Sequence, residues 1–93
     1  MAYTLRYHPR VTDEDRKHIA QAVWARIGRA VESRLVTAPE RFGEPLAGSL
    51  RGYRKLRVGD YRVIFEVVGT EVRILAILHR RAAYERAIRR LGQ

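Results

Sequence analysis

Seven cationic side chains and two tyrosines are spaced so that they could handle a phosphate. Arg51, Tyr53, Lys55 and Arg57 recur at every second position. In an extended chain such side chains point the same way, about 7 Å apart along the strand. Arg62 follows across Gly59-Asp60, and the register of that turn decides whether it joins them. His79, Arg80 and Arg81 come later, with Tyr84 one helical turn beyond. Guanidinium forks grip phosphate through parallel hydrogen bonds. Fixed cations stabilise charge that develops in a transition state, and a tyrosine can stack on an unstacked base. The same alternation also describes an ordinary solvated sheet face, so spacing by itself leaves both readings open.

Other chemistries find little support. His8, His18 and His79 have no ligand spacing and the chain has no cysteine, so neither a metal site nor a disulfide framework is expected. Ser33 and Ser49 lack a nucleophile-elbow context, and no glycine-rich phosphate loop is present. Asp60, Glu66 and Glu71 fall in or beside turns, which does not suggest a paired-carboxylate hydrolase. Trp24 stands beside Val23 and Ile27 and reads as core or rim rather than as a base platform.

The charge agrees with an anionic partner. Among 93 residues, 19 Lys+Arg against 10 Asp+Glu leave a net charge of +9, and only Lys17 and Lys55 are lysines. Residues 1–50 carry 8 basic and 6 acidic groups, and residues 51–93 carry 11 and 4, so +7 of the charge falls in the second half. A polyanion is expected to dock there. The length fits a single domain over residues 1–93. No apolar run approaches the roughly 20 residues of a membrane span, and no secretory segment opens the chain, so the expected setting is cytoplasmic.

The elements that must position these groups follow from periodicity. Tyr3, Leu5 and Tyr7 alternate with polar residues as a strand that Pro9 stops. Thr12 with Asp15 resembles a capping box, and acids at 13, 14 and 15 suit a helix amino terminus. Ile19, Val23, Ile27, Ala30, Val31 and Leu35 mark one helical face, which leaves residues 12–36 as one bent helix or two short ones. Pro39, Gly43, Pro45 and Gly48 make residues 37–48 a loop. Strand-like runs then cover residues 50–58, 61–67 and 72–78, separated by Gly59-Asp60 and Gly69-Thr70. Residues 82–91 close the chain as a helix. This order predicts an α+β domain, an antiparallel meander with helices packed on the sheet.

Gly48, Leu50, Gly52, Lys55, Leu56, Arg57, Gly59, Asp60, Tyr61 and Arg62 together resemble the central segment of the RelE/ParE superfamily of type II toxins. Leu78-His79-Arg80-Arg81 with Tyr84 resembles its closing segment, and His8-Pro9-Arg10-Val11 fits its opening. The resemblance implies the order β-α-α-β-β-β-α. For the RelE branch it implies a ribosome-dependent, metal-independent endoribonuclease, an mRNA interferase, that cleaves messenger RNA in the ribosomal A site. There the 2′-hydroxyl attacks the adjacent phosphate, with no cofactor. Lys55, Arg57, Arg62, Arg80, Arg81 and Tyr84 would be catalytic, and Arg51, Tyr53 and Arg54 would bind RNA. Arg62 would stabilise the transition state, Arg80 or Arg81 would hold phosphate, and Tyr84 would stack on a base. Cations crowded around an ammonium disfavour its charged form, so Lys55 is the candidate proton acceptor and His79 its rival. Relatives commonly carry paired lysines on this strand, whereas the second cation here is Arg54 or Arg57, and arginine does not readily surrender a proton. The partner implied is an acidic, RelB-like antitoxin, in a complex that could be a heterotetramer. The ParE branch shares the fold but poisons DNA gyrase through protein contact and generally lacks the full cationic and tyrosine set. An inactive homologue is the third reading.

Overall fold

A computed structural model describes residues 2–92; Met1 and Gln93 lie outside the described residues. Strand β1 (Thr4–Tyr7) ends where Pro9 removes a donor, and helix α1 (Pro9–Asp13) starts there. The Nδ1 of His8 caps α1 by accepting the Arg10 amide at 3.1 Å. The helix therefore begins three residues before Thr12, whose hydroxyl donates to the Pro9 carbonyl, and the capping box expected at Thr12 and Asp15 does not form. A 3-10 turn (Asp15–His18) follows, and Ile19 and Ala20 are extended, with ψ 128° and 143°. The 12–36 region is thus two helical segments rather than one bent helix.

Helix α2 (Gln21–Ala30) runs directly into a π turn (Val31–Leu35). Val23, Ile27, Val31 and Leu35 recur every four residues. Such a stripe runs ahead of a 3.6-residue turn by about 40° per step. Widening the last turn brings Leu35 back over the sheet, where it is fully buried. After a single-turn helix α3 (Pro39–Phe42) come strands β2 (Glu44–Pro45), β3 (Arg54–Val58), β4 (Tyr61–Val68) and β5 (Glu71–His79), then helix α4 (Ala83–Leu91).

The five strands form one sheet in the order β1-β5-β4-β3-β2. The meander from β2 to β5 is antiparallel as expected, while β1 lies parallel to β5 on the far edge. Strand β2 sits inside the segment expected to be loop, and its Pro45 is tolerated because β2 is an edge. The two faces bury separate cores. Leu56, Val58, Val63, Phe65, Val72, Ile74 and Ile77 pack under α1 and α2, whereas Ile64, Leu75, Ala76 and Leu78 pack with Ala83 and Ala87 of α4.

A bulge joins these two cores to the termini. Ile64 pairs with Ala76 and Phe65 with Ile74, so Leu75 is the extra residue on β5. Because β1 stops at Tyr7, the edge of β5 beyond Ile74 has no strand neighbour. A carboxylate and a guanidinium stand in for it. Asp15 Oδ2 accepts the Ile77 amide at 2.9 Å, and Arg90 of α4 donates to the Leu75 carbonyl at 3.0 Å. Arg90 meets Asp15 through two parallel bonds of 2.9 Å, with the residues 5% and 1% exposed. Asp15 is thus not a residue of the helix amino-terminal dipole but the acceptor of a buried ion pair.

Candidate functional site

The hairpin of β3 and β4 builds the site. Val58 pairs with Tyr61 across Gly59-Asp60, and Gly59 adopts φ +59°, a value that favours glycine. That register places Arg57 directly opposite Arg62. Lys55 and Arg57 share the α4 face with Arg62, because Leu56 and Val58 occupy the other face. Arg80 follows β5, and its amide donates to the Asp60 carbonyl at 2.8 Å, which ties the hairpin turn to the end of β5. Tyr84 lies in the first turn of α4. Its hydroxyl accepts from Lys55 Nζ at 3.0 Å, and the ammonium stands 5.4 Å from the ring centroid. Arg57, Arg62, Arg80, Arg81 and Tyr84 line a cleft of about 420 Å³, with Lys55 at its Tyr84 side.

The electrostatics are lopsided. Like charges directly opposite in a ladder are destabilising, and Arg57 faces Arg62 in that way. Only exposed carboxylates come near, Glu44 at 3.7 Å from Arg57 Nε and Asp60 at 3.8 Å from Arg80 Nε. Arg62 Nη1 donates to the carbonyls of Tyr61 at 2.9 Å and Gly59 at 3.1 Å, which fixes its guanidinium near the turn. An open, cation-lined cleft with one aromatic wall is suited to an anionic ligand that carries a flat group. Among the described residues no three histidine, aspartate or glutamate side chains gather in a way that could hold a metal ion.

Comparison with known proteins agrees with the fold. Residues 5–84 match the family described as the ParE toxin of the type II toxin-antitoxin system parDE. The chain belongs to that family, within the RelE/ParE superfamily. No curated protein matches the chain in sequence. A RelBE toxin–antitoxin complex from Mycobacterium tuberculosis shares 27% identity over 85% of this chain and 92% of its own, with a TM-score of 0.77. The free-state structure of a double arginine-to-alanine mutant of E. coli RelE shares 22% over 98% and 99%, with a TM-score of 0.75. A RelB–RelE complex from Methanococcus jannaschii shares 22% over 87% and 96%, with a TM-score of 0.67.

The toxin gathers six of the ten residues singled out from the sequence and disperses four. Lys55, Arg57, Arg62, Arg80, Arg81 and Tyr84 converge. His79 pairs with Tyr61 in the ladder, its ring edge-on to Tyr61 at 5.5 Å, on the face opposite Arg62 and Leu78. Its Nδ1 accepts the Arg81 amide at 3.3 Å, so His79 shapes the loop before α4 instead of lining the cleft. Gly52, at φ +96°, breaks the expected strand, so β3 starts only at Arg54 and Arg51 drops out of the period, while Tyr53 keeps the α4 face that it shares with Lys55. Arg51 lies exposed in that corner. Arg54 is directed to the other face, where its guanidinium donates to the Gly43 and Glu40 carbonyls and ties α3 to β3.

Tyr53 lines a different cleft, of about 540 Å³, with Arg6, Arg73 and Leu91 among its walls. Its hydroxyl donates to Glu66 Oε2 at 3.1 Å, and burial followed by the neighbouring carboxylate raises its pKa. Trp24 sits on the rim as expected, with the Arg16 guanidinium 5.9 Å from the ring. The carboxylates of Glu44 and Asp60, which flank the cleft, escaped the sequence reading. Asp60 was legible as the residue joining two cation-bearing strands, whereas nothing local marks Glu44.

Proposed function

We propose that this toxin is a metal-independent, cytoplasmic endoribonuclease that cleaves messenger RNA in the ribosomal A site and so inhibits translation. The observation that carries the proposal is the convergence of four arginines, Lys55 and Tyr84 on one open cleft, with Arg57 and Arg62 held face to face. Two guanidinium groups forced together in a ladder repel one another in the free protein, and a bound phosphate relieves that repulsion. In the proposed reaction the RNA's 2′-hydroxyl attacks the adjacent phosphorus, the bond to the 5′-oxygen breaks, that oxygen takes a proton from water to leave as a 5′-hydroxyl, and a 2′,3′-cyclic phosphate remains. Arg57 and Arg62 stabilise the charge that grows on the non-bridging oxygens. Lys55, as the neutral amine, takes the proton of the attacking hydroxyl, and Tyr84 provides the stacking surface that positions the base. Arg80 and Arg81 hold the flanking phosphate. An acidic RelB-like antitoxin blocks the cleft by charge complementarity; the mycobacterial and methanococcal relatives are described in complex with antitoxins.

The matched family bears the ParE name, which favours one further reading, inhibition of DNA gyrase by a surface of the same fold. Primer extension on a reporter message after induction of the toxin separates the two. Under the ribonuclease reading, cuts appear only when the message is translated, and Arg62→Ala or Tyr84→Ala abolishes both cuts and growth arrest while antitoxin binding persists. Growth arrest that survives both substitutions, with accumulating linear DNA breaks, establishes the gyrase reading instead.

A further inference from the structure

A second basic cleft opens on the other side of the β3–β4 turn. It measures about 310 Å³ and is lined by Arg26, Arg29, Ser33, Arg34, Arg57 and Gly59. Three of its four guanidinium groups come from α2 and its π turn, in the half of the chain that carries only +2. The charge count along the sequence therefore pointed away from it.

Of these four arginines, only Arg57 stands near a carboxylate, Glu44 at 3.7 Å. Arg6, Arg10, Arg73, Arg80, Arg89 and Arg90 each stand within 4.0 Å of a carboxylate. Among the described residues Arg26, Arg29 and Arg34 have no such neighbour. The sequence explains why. A helical ion pair forms between residues four apart. Four positions either side of Arg26 are Ala22 and Ala30, of Arg29 are Ala25 and Ser33, and of Arg34 are Ala30 and Ala38. At three residues' distance only Glu32, after Arg29, is acidic, and it lines a different cleft with Tyr7 and Trp24. Three uncompensated cations on one helical face repel one another.

The two clefts adjoin, with Arg57 lining both. Arg26 reaches to the shared turn, where a Cβ on Gly59 would stand 3.1 Å from its Nη1. From Arg26 to Arg34 the row extends about 12 Å along the helix, long enough for more than one phosphate. The lining offers no aromatic or large exposed apolar group on which a protein segment could anchor; its apolar members are Ala30 and the buried Val58.

We propose that the Arg26–Arg29–Arg34 cleft binds the sugar–phosphate backbone of single-stranded RNA, next to the phosphate held between Arg57 and Arg62. This rests on the RNA reading of the neighbouring cleft. It extends that reading with a sequence-independent track that sets which stretch of the strand enters the site. The test uses the full chain and a fluorescein-labelled 2′-O-methyl RNA 12-mer, which cannot be cleaved, with anisotropy followed as potassium chloride is raised. Each phosphate contact on a single strand contributes about 0.7 to the slope of log K against log salt. The triple variant Arg26→Gln, Arg29→Gln, Arg34→Gln is expected to lower that slope by about 2 and to weaken binding roughly tenfold or more at low salt. The corresponding triple lysine variant keeps the charge and most of the slope. Arg6→Gln with Arg73→Gln removes two arginines from the other end of the sheet and leaves the slope unchanged. Wild-type binding with an unchanged slope in the glutamine variant overturns the inference while the ribonuclease reading stands. Loss of affinity for the antitoxin alone also overturns it, and assigns the row to the protein partner. A wild-type toxin that binds no free RNA at any salt overturns the inference too, whereas the ribosome-dependent reading is decided separately by primer extension.

Discussion

Replacing Arg90 by methionine is expected to be the most damaging single change outside the hydrophobic cores. Arg90 and Asp15 are 5% and 1% exposed, and they share two hydrogen bonds of 2.9 Å. The pair also satisfies the Ile77 amide and the Leu75 carbonyl, which the β5 bulge and the short β1 leave without strand partners. Asp15 holds the Arg90 guanidinium in its charged form, raising its pKa above the usual arginine value. Arg90→Met leaves a buried carboxylate with one amide donor, and breaking a buried pair in this way costs about 3–5 kcal/mol. A domain of this size has roughly 5–14 kcal/mol in total. The loss is therefore a large fraction of its stability and lowers the melting temperature by roughly 12 °C or more. Asp15→Leu unpairs the Ile77 amide but leaves the guanidinium with the Leu75 carbonyl and the Glu14 carboxylate, 3.6 Å away, so it is expected to cost less than Arg90→Met. The double variant removes both charges but leaves the Ile77 amide and Leu75 carbonyl unpartnered, at about 1–3 kcal/mol each. It is expected to fall below the wild type yet lose less than the sum of the single variants, with a coupling of at least about 2 kcal/mol. Urea unfolding of the four proteins measures this cycle. Single variants that lose under about 1 kcal/mol, or losses that simply add, would refute the argument that this pair closes the sheet edge.

Two further outcomes follow. Arg62→Gln removes one member of the facing arginine pair while keeping a polar side chain; unfolding free energy should stay within about 0.5 kcal/mol, while cleavage of translated message drops on the order of 10²–10³-fold. His8 has its pKa lowered from 6.5, by burial first and then by the charges of Arg90 and Arg10. The unfolded chain therefore binds the proton more readily, so this contribution to stability is complete above pH 6.5 and is lost as pH falls through the lowered folded value. His8→Asn keeps a capping acceptor for the Arg10 amide, and its thermal melts should lose that part of the pH dependence below 6.5.

Local pattern determined much of this protein. The alternation of Tyr61, Val63, Phe65 and Val67, the glycine turns at 59 and 69, and the four-residue stripe of α2 specify their elements, because each depends on neighbours within a few residues. The motif residues Lys55, Arg57, Arg62, Arg80, Arg81 and Tyr84 were legible for the same reason, since the two-residue hairpin at Gly59-Asp60 brings Arg57 and Arg62 face to face. Tertiary structure decided the rest. His79 shares a segment with Arg80 and Arg81, yet strand parity sends it to the opposite face. Gly52 ends the alternation that would have aligned Arg51 with Lys55, and Tyr53, though on the same face, lines a different cleft. Asp15 looks like a helix-capping acid until the premature end of β1 exposes an amide that only a buried carboxylate can satisfy. Arg26, Arg29 and Arg34 belong by sequence to the weakly charged half, and only the packing of α2 beside the β3–β4 turn brings them to Arg57. The sequence determined which groups could bind phosphate. Which of them share a surface was decided by strand register, a bulge and helix packing, because those act between residues distant in the chain.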